Sequence, residues 1–446
     1  MNQARDLSFL VKDIDPEIVT IAGGAHPSAL PQESLEESAL DLVACGEGDE
    51  VVADLLDGRR PADVAGLYVR TADGIVSTGP AGLREDLDSL PMPAWEHYPA
   101  EAKTTPSKLL ARNLPVTSIE FSRGCIYSCD FCASKNTMGR GYRKKSPARC
   151  ADELERLVAM GYREAVLHDD IFTTDTNWAK QVCEEIIRRK IGIAWTCSNG
   201  IRVDAVDREL FGLMKRAGCY RVYFGFETGN EDVLKAFGKG GRATLDRGVV
   251  AVDLAREAGL EPNGFFMVGL MPDTEQTMQD TIDYARKVRL DVMKCGICVP
   301  YPGTPMFQQL HEQGRIKSLD WDSYTVYNKA ESIFDHPTLD WPTITRYFDR
   351  FYREVILKNP AYIWRRARYL AKNGELFVNL KFAVRFYKLL STRSAPPEPE
   401  PYAYADRWRP LDLRPDRHLT VIPVPRARRR GTALRSPAAA GGDAEA

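Results

Sequence analysis

The stretch FSRGCIYSCDFCASK puts Cys125, Cys129 and Cys132 within eight positions of one another, in a chain of 446 residues with ten cysteines. Thiols at this density form disulfides or do metal or redox chemistry. A structural zinc site takes four ligands, commonly from two separated pairs. An ordinary ferredoxin cluster also takes four thiolates. Three thiolates spaced C-x3-C-x2-C suit a 4Fe-4S cluster whose fourth iron is open to a ligand that is not protein. The competing reading is a non-catalytic protein that holds iron-sulfur or zinc for structure or electron transfer. Cys45, Cys150, Cys183, Cys197, Cys219, Cys295 and Cys298 read as buried apolar thiols.

Composition narrows the setting. Sixty basic and 62 acidic residues leave a formal charge of -2, which recommends no nucleic acid partner and makes a small molecule the default substrate. Residues 1 to 20 lack the basic-then-apolar layout of a signal peptide, and no run approaches the ~18 apolar residues of a membrane span. The expected location is cytoplasmic, where disulfides are disfavoured and membrane association is not expected.

Around the cysteines, β-branched and aromatic runs alternate with longer amphipathic ones, the pattern of βα units. Six strands are expected, at 115–122, 164–170, 194–199, 221–227, 264–270 and 294–300, with a helical pattern in each of the five intervals between them. The expected fold is α/β, a partial (β/α)6 TIM-like barrel. In such barrels the loops after the strands form the functional face, and the cysteine cluster follows the first strand.

In that context the cluster resembles the motif of the radical SAM superfamily, including the aromatic residue, Phe131, before the third cysteine. The resemblance covers about residues 112 to 310 and implies that Cys125, Cys129 and Cys132 hold a 4Fe-4S cluster which binds S-adenosylmethionine. It places Asp169 or Asp170, in HDDIFTTD, near the cofactor's amino group, and Asp175 at a helix cap or near the same site. Ser198 and Arg202, in CSNGIRVD, match positions that face its carboxylate. Glu227, in YFGFETGN, matches a glutamate near the ribose and sulfonium. FFMVGLMPDTEQT resembles the family's Gly-Leu-Pro-Gly-Glu-Thr turn with Met271, Pro272 and Asp273 substituted. VPYPGTPMF resembles the Pro-Tyr-Pro-Gly-Thr-Pro signature of the branch that carries a cobalamin-binding domain ahead of the barrel.

The flanks follow from that resemblance. Residues 1–90 look like the second half of a Rossmann-like cobalamin domain, with turns at Gly23-Gly24 and Gly46-Glu47-Gly48; a whole domain needs roughly 70 to 100 residues more. Either the start lies further upstream, or a remnant has lost cobalamin and caps the barrel; His26 reads as a loop residue rather than a cobalt ligand. Residues 91–111 are then a linker, 112–310 the barrel, 311–390 a helical lid over its open side, and 391–446 a disordered Pro- and Arg-rich tail. The implied reaction is reductive cleavage of S-adenosylmethionine to a 5′-deoxyadenosyl radical that abstracts hydrogen from the substrate, with a flavodoxin- or ferredoxin-type electron donor. With half the cobalamin site missing, the favoured outcome is dehydration, deoxygenation or rearrangement of a hydroxylated metabolite without cobalamin. This is similar to radical diol dehydratases of aminoglycoside antibiotic pathways, with Asp169, Glu227 and Tyr301 suited to a polyol. The alternative is cobalamin-dependent methyl transfer to carbon.

Overall fold

A computed structural model describes residues 1–98, 111–239, 242–329 and 332–372. The chain begins with a helix, Asn2–Ile14, and a small sheet of β1 (Ile21–Ala22), β2 (Leu42–Ala44), β3 (Leu67–Thr71) and β4 (Gly74–Ser77), paired in that order. β1 and β2 are parallel, as a Rossmann-like segment requires, but β3 and β4 form an antiparallel hairpin that makes the sheet mixed. Alternating residues explain its two faces: Leu42, Ala44, Leu67 and Val69 pack with Val51 and Leu55 of helix Asp49–Leu56, while Val43 packs with Leu35 and Leu40. Buried Asp41 ties the first helix to this sheet, accepting from Lys12 Nζ at 2.7 Å and from the Thr20 amide at 2.6 Å.

All six expected barrel strands form. They are β5 (Val116–Ile119), then, after a short hairpin of β6 (Ser122–Arg123) and β7 (Arg143–Lys144), β8 (Glu164–Leu167), β9 (Ala194–Ile201), β10 (Cys219–Glu227), β11 (Glu261–Val268) and β12 (Val292–Ile297). They pair in parallel and in chain order, from β5 to β12, with no pairing between those two ends. Helices Pro147–Ala159, Thr176–Arg188, Arg208–Arg216, Leu245–Glu257 and Glu275–Lys287 cover the outside. Each starts on a side chain that accepts a hydrogen bond from its first turn: Ser146, Asp175, Asp207, Thr244 and Thr274.

The C-terminal helices do more, and other, than close the open side. Ile344, Tyr347, Phe348 and Phe351 of helix Trp341–Phe351 join the barrel core, each burial worth ~1.5–3 kcal/mol. The Tyr352 hydroxyl accepts from the Cys295 amide at 3.1 Å and donates to the Cys295 carbonyl at 2.9 Å, satisfying the free edge of β12. Helix Pro360–Lys372 lies beneath the N-terminal ends of the strands rather than at the mouth. There Glu261 accepts from Arg112 at 3.0 Å, Arg221 at 2.8 Å, Arg366 at 3.1 Å and Tyr369 at 2.8 Å. Of the expected segments, linker residues 99–110, lid residues 373–390 and the tail 391–446 lie outside the described residues. Among the described residues no helix is long and apolar enough to cross a membrane.

Candidate active site

The cysteine loop springs from the β6–β7 hairpin, whose register pairs Ser122 with Lys144 and so pins both ends of the excursion. At its entry Gly124 adopts φ +85°, and an added Cβ would stand 2.1 Å from the Gly141 carbonyl oxygen; only glycine lets the two limbs approach this closely. Cys125, Cys129 and Cys132 are all partly exposed on this loop. Burial pushes the Cys125 thiol up and the Cys129 thiol up to about 11. Cys150, Cys183, Cys197, Cys219, Cys295 and Cys298 are buried. Cys295 and Cys298 also have the C-x2-C spacing that zinc sites use. They sit on and just beyond β12 in different apolar clusters, with Cys298 Sγ 3.6 Å from Met306 Sδ.

Among the described residues no three His, Cys, Asp or Glu side chains converge as ligands of one metal ion would. A cluster with three protein thiolates spreads them over different irons, so the loop's three half-exposed thiols fit it without such convergence.

The groups expected around this loop fare differently. Asp170 lies beside it: its Oδ2 accepts from the Gly124 amide at 3.0 Å. Asp169, expected to be catalytic, is 3% exposed; it accepts from the Phe121 amide at 2.7 Å and the Ser122 hydroxyl at 2.5 Å. Burial pushes its carboxyl up to about 7, so Asp169 braces the base of the loop and does not face a ligand. Asp175 caps helix Thr176–Arg188 and pairs with Lys144. The Ser198 hydroxyl donates to the Leu167 carbonyl at 3.1 Å.

Arg202, expected to clamp a carboxylate, already gives its fork to Asp204 at 2.9 and 3.2 Å, and lies 3.8 Å over the Tyr127 ring. Phe131 packs at 5.5 Å against Phe237 in the apolar cluster beneath the loop, and Tyr301 joins that cluster instead of standing as a polar group at the mouth. The turn at Asp273 is closed on itself, with Asp273 accepting from Leu270 and Thr277 and pushed up to about 6 by burial.

Glu227 ends β10 at a bulge, where Phe226 is the unpaired extra residue, and takes φ +65°, a strained value for a side chain of its size. Its carboxylate is held by Lys239, whose Nζ donates to Glu227 Oε1 at 2.6 Å and also to the Gly225 carbonyl. This lysine escaped the sequence reading, although GK after a short helix marks a turn that can aim a charge. Its neighbours form a clasp on the cysteine loop. The Phe237 carbonyl accepts from the Asp130 amide at 3.2 Å, Gly238 lies against Ser128 and Cys129, and the Lys239 carbonyl accepts from Arg202 at 3.2 Å. One turn thus links the cysteine loop, Arg202 and Glu227.

The N-terminal unit is bolted to the same place. Glu47, from the Gly46-Glu47-Gly48 turn, pairs with Arg143 at 2.5 Å and Arg123 at 3.4 Å, at the two feet of the loop. His26 belongs to a short helix, Ala25–Ala29, not a loop; its ring meets Trp321 edge-on at 4.8 Å, and burial lowers its pKa to about 4. β1 and β2 are the one parallel pair of this unit among the described residues, too little by itself to enclose a corrin.

Comparison with known proteins agrees with this arrangement. Residues 119–285 match the profile of the Radical SAM superfamily. The chain is 29% identical over 75% of its length to the uncharacterized methyltransferase PH0819 of Pyrococcus horikoshii, covering 72% of that protein. It is 28% identical over 85% of its length to the anaerobic magnesium-protoporphyrin IX monomethyl ester cyclase of Rubrivivax gelatinosus, covering 69% of it. Its fold superposes on the radical S-adenosylmethionine methyltransferase TsrM of Kitasatospora setae, solved with cobalamin and a 4Fe-4S cluster bound, with a TM-score of 0.58 and 21% identity. That match covers 70% of this chain and 60% of TsrM. The profile match falls on the cysteine loop and on most of the parallel strands that carry it, so residues 119–285 form a radical SAM domain.

Proposed function

We propose that this radical SAM enzyme transfers a methyl group to a small-molecule substrate. The observation that carries the reading is the bolting of the cobalamin-type N-terminal unit, through Glu47, to Arg123 and Arg143 at the feet of the cysteine loop. The relatives support it, since PH0819 and TsrM are both named methyltransferases. The dehydration favoured on sequence grounds draws no support from them.

In this reading Cys125, Cys129 and Cys132 hold a 4Fe-4S cluster, which supplies the electron for cleaving S-adenosylmethionine. Asp170 and the Glu227–Lys239 pair then border the cofactor, as polar groups fixed before it arrives. Lys239 holds the Glu227 carboxylate in one position, and the bulge turns it toward the mouth. The apolar cluster under the loop, with Phe131 and Phe237, closes its inner side to water.

The test is the nucleoside balance of anaerobically reconstituted protein supplied with reductant. Methyl transfer consumes S-adenosylmethionine in two roles and yields S-adenosylhomocysteine together with 5′-deoxyadenosine. TsrM holds cobalamin, so cobalamin is the methyl carrier to add and to assay first. 5′-Deoxyadenosine formed with product but without S-adenosylhomocysteine, cobalamin present, refutes methyl transfer and restores dehydration or rearrangement.

A further inference from the structure

The interior of the barrel carries a cation that nothing else on the described chain neutralises. Strand side chains alternate between the outer helices and the lumen. Phe224, Phe226, Phe266 and Cys295 belong to the core under the helices, so their neighbours Tyr223, Phe265 and Lys294 face inward. The register sets Tyr223 beside Asn263 and Phe265 beside Lys294, on one face of the sheet.

There the rings of Tyr223 and Phe265 stack at 5.1 Å, and Lys294 Nζ stands 5.5 and 5.6 Å from their centroids. Among the described residues no carboxylate pairs with Lys294 and no acceptor takes a hydrogen bond from it. Burial, with the charge of Arg221 nearby, lowers its pKa below the usual lysine range.

A second donor is left over beside it. Asn263 is 0% exposed; its Oδ1 accepts from the Val292 amide at 3.0 Å, but its Nδ2 has no partner. Buried donors are almost always satisfied, and an unpaired cation in a half-dry lumen costs stability. At this end of the barrel Arg112, Arg221, Arg256, Arg365 and Arg366 outnumber the carboxylates Glu164, Glu261 and Asp291, and Lys294 adds a further cation, so the field is positive. Glu227 pairs with Phe266, one residue past Phe265, so Lys294 lies one register step, about 3.3 Å, below Glu227 along the strands and two strands, roughly 10 Å, across the sheet. That is within the reach of one small molecule held beneath the cofactor.

We propose that this lumen binds the oxyanion group of the substrate, a carboxylate or a phosphoryl group, on Lys294 and Asn263, with a flat or apolar part of the same molecule against Tyr223 and Phe265. The inference rests on the reading of the barrel mouth as the reaction site, and it adds that the substrate is an anion. The donors are complementary to an acceptor-only group, and the stacked rings supply the apolar half of the pocket.

Binding of benzoate, phenyl phosphate and neutral benzyl alcohol to the reconstituted full chain, by saturation-transfer NMR, tests it. At least one oxyanion probe should bind tenfold or more tighter than benzyl alcohol, and the tighter of the two identifies carboxylate or phosphoryl. Lys294→Met should abolish that preference without changing iron content or S-adenosylmethionine binding, and Lys294→Arg should keep it. Because Lys294→Met removes an unpaired cation, it should melt no lower than wild type, whereas a purely structural lysine would cost stability when replaced. Equal binding of all three probes by wild type, or an undiminished oxyanion preference in Lys294→Met, overturns the proposal. Absence of S-adenosylhomocysteine refutes methyl transfer and leaves this pocket standing, while loss of the anion preference leaves methyl transfer untouched.

Discussion

Replacing Gly238 by alanine tests the clasp that joins the cysteine loop to Glu227. Gly238 has φ +85°, a left-handed value that costs a residue with a Cβ about 1–2 kcal/mol. The new Cβ would stand 2.8 Å from the Ser128 carbonyl oxygen and 3.8 Å from Cys129 Cα. Carbon and oxygen in contact prefer about 3.3 Å or more, so the clasp and the loop must part by roughly half an ångström. The Asp130 amide, 3.2 Å from the Phe237 carbonyl, is the hydrogen bond that this stretches, worth about 0.5–1.5 kcal/mol. The combined effect is roughly 2–3 kcal/mol, delivered at Cys129. Gly212→Ala is the matched control. Gly212 lies inside helix Arg208–Arg216 with nothing within 4 Å of an added Cβ, so that change should stabilise by about 1 kcal/mol. Denaturant midpoints give the stability difference, and iron, sulfide and equilibrium binding of S-adenosylmethionine give its local consequence. Gly238→Ala should load less iron and bind the cofactor more weakly. If it takes up full iron, binds S-adenosylmethionine as wild type does and loses less than about 0.5 kcal/mol, the clasp does not position the loop.

Alanine at Cys125, Cys129 or Cys132 should abolish 5′-deoxyadenosine formation, because a cluster on three thiolates cannot spare one, whereas Cys219→Ala and Cys298→Ala should keep their iron. Glu261→Gln removes the charge that four donors share beneath the barrel; denaturation should show a loss of about 3–5 kcal/mol, and a loss under 1 kcal/mol would mean that helix Pro360–Lys372 is not anchored there. Burial raises Asp169 from 3.8 to about 7, so the folded state keeps a proton that the unfolded state releases. That contribution is fully present below about pH 4 and is lost as pH rises through about 7. Wild type should therefore lose stability relative to Asp169→Asn across this window, and parallel pH curves for the two proteins would contradict the assignment.

What the sequence determined by itself is what depends on local pattern. Six β-branched runs alternating with amphipathic ones dictate parallel βα units, because each strand must bury both faces and each helix one stripe. Three cysteines in eight positions form one candidate ligand set, because their separation along the chain already bounds their separation in space. The β3–β4 hairpin is local, but which strand it pairs with, β2 through β3, depends on a contact 25 residues away in the chain. The tertiary structure alone decided which polar groups are free to meet a ligand. Asp169 and Asp170 are adjacent, yet the turn after β8 encloses one and leaves the other beside the cysteine loop. Arg202 and Glu227 both read as cofactor contacts, but Arg202 is engaged by Asp204, two residues away, while Glu227 is aimed by Lys239 across a turn. Lys294 is one more lysine in the sequence and becomes distinctive only when the barrel closes around it without a counter-charge. Such facts depend on which side chains from distant strands reach one point, and packing settles that only once the whole sheet has formed.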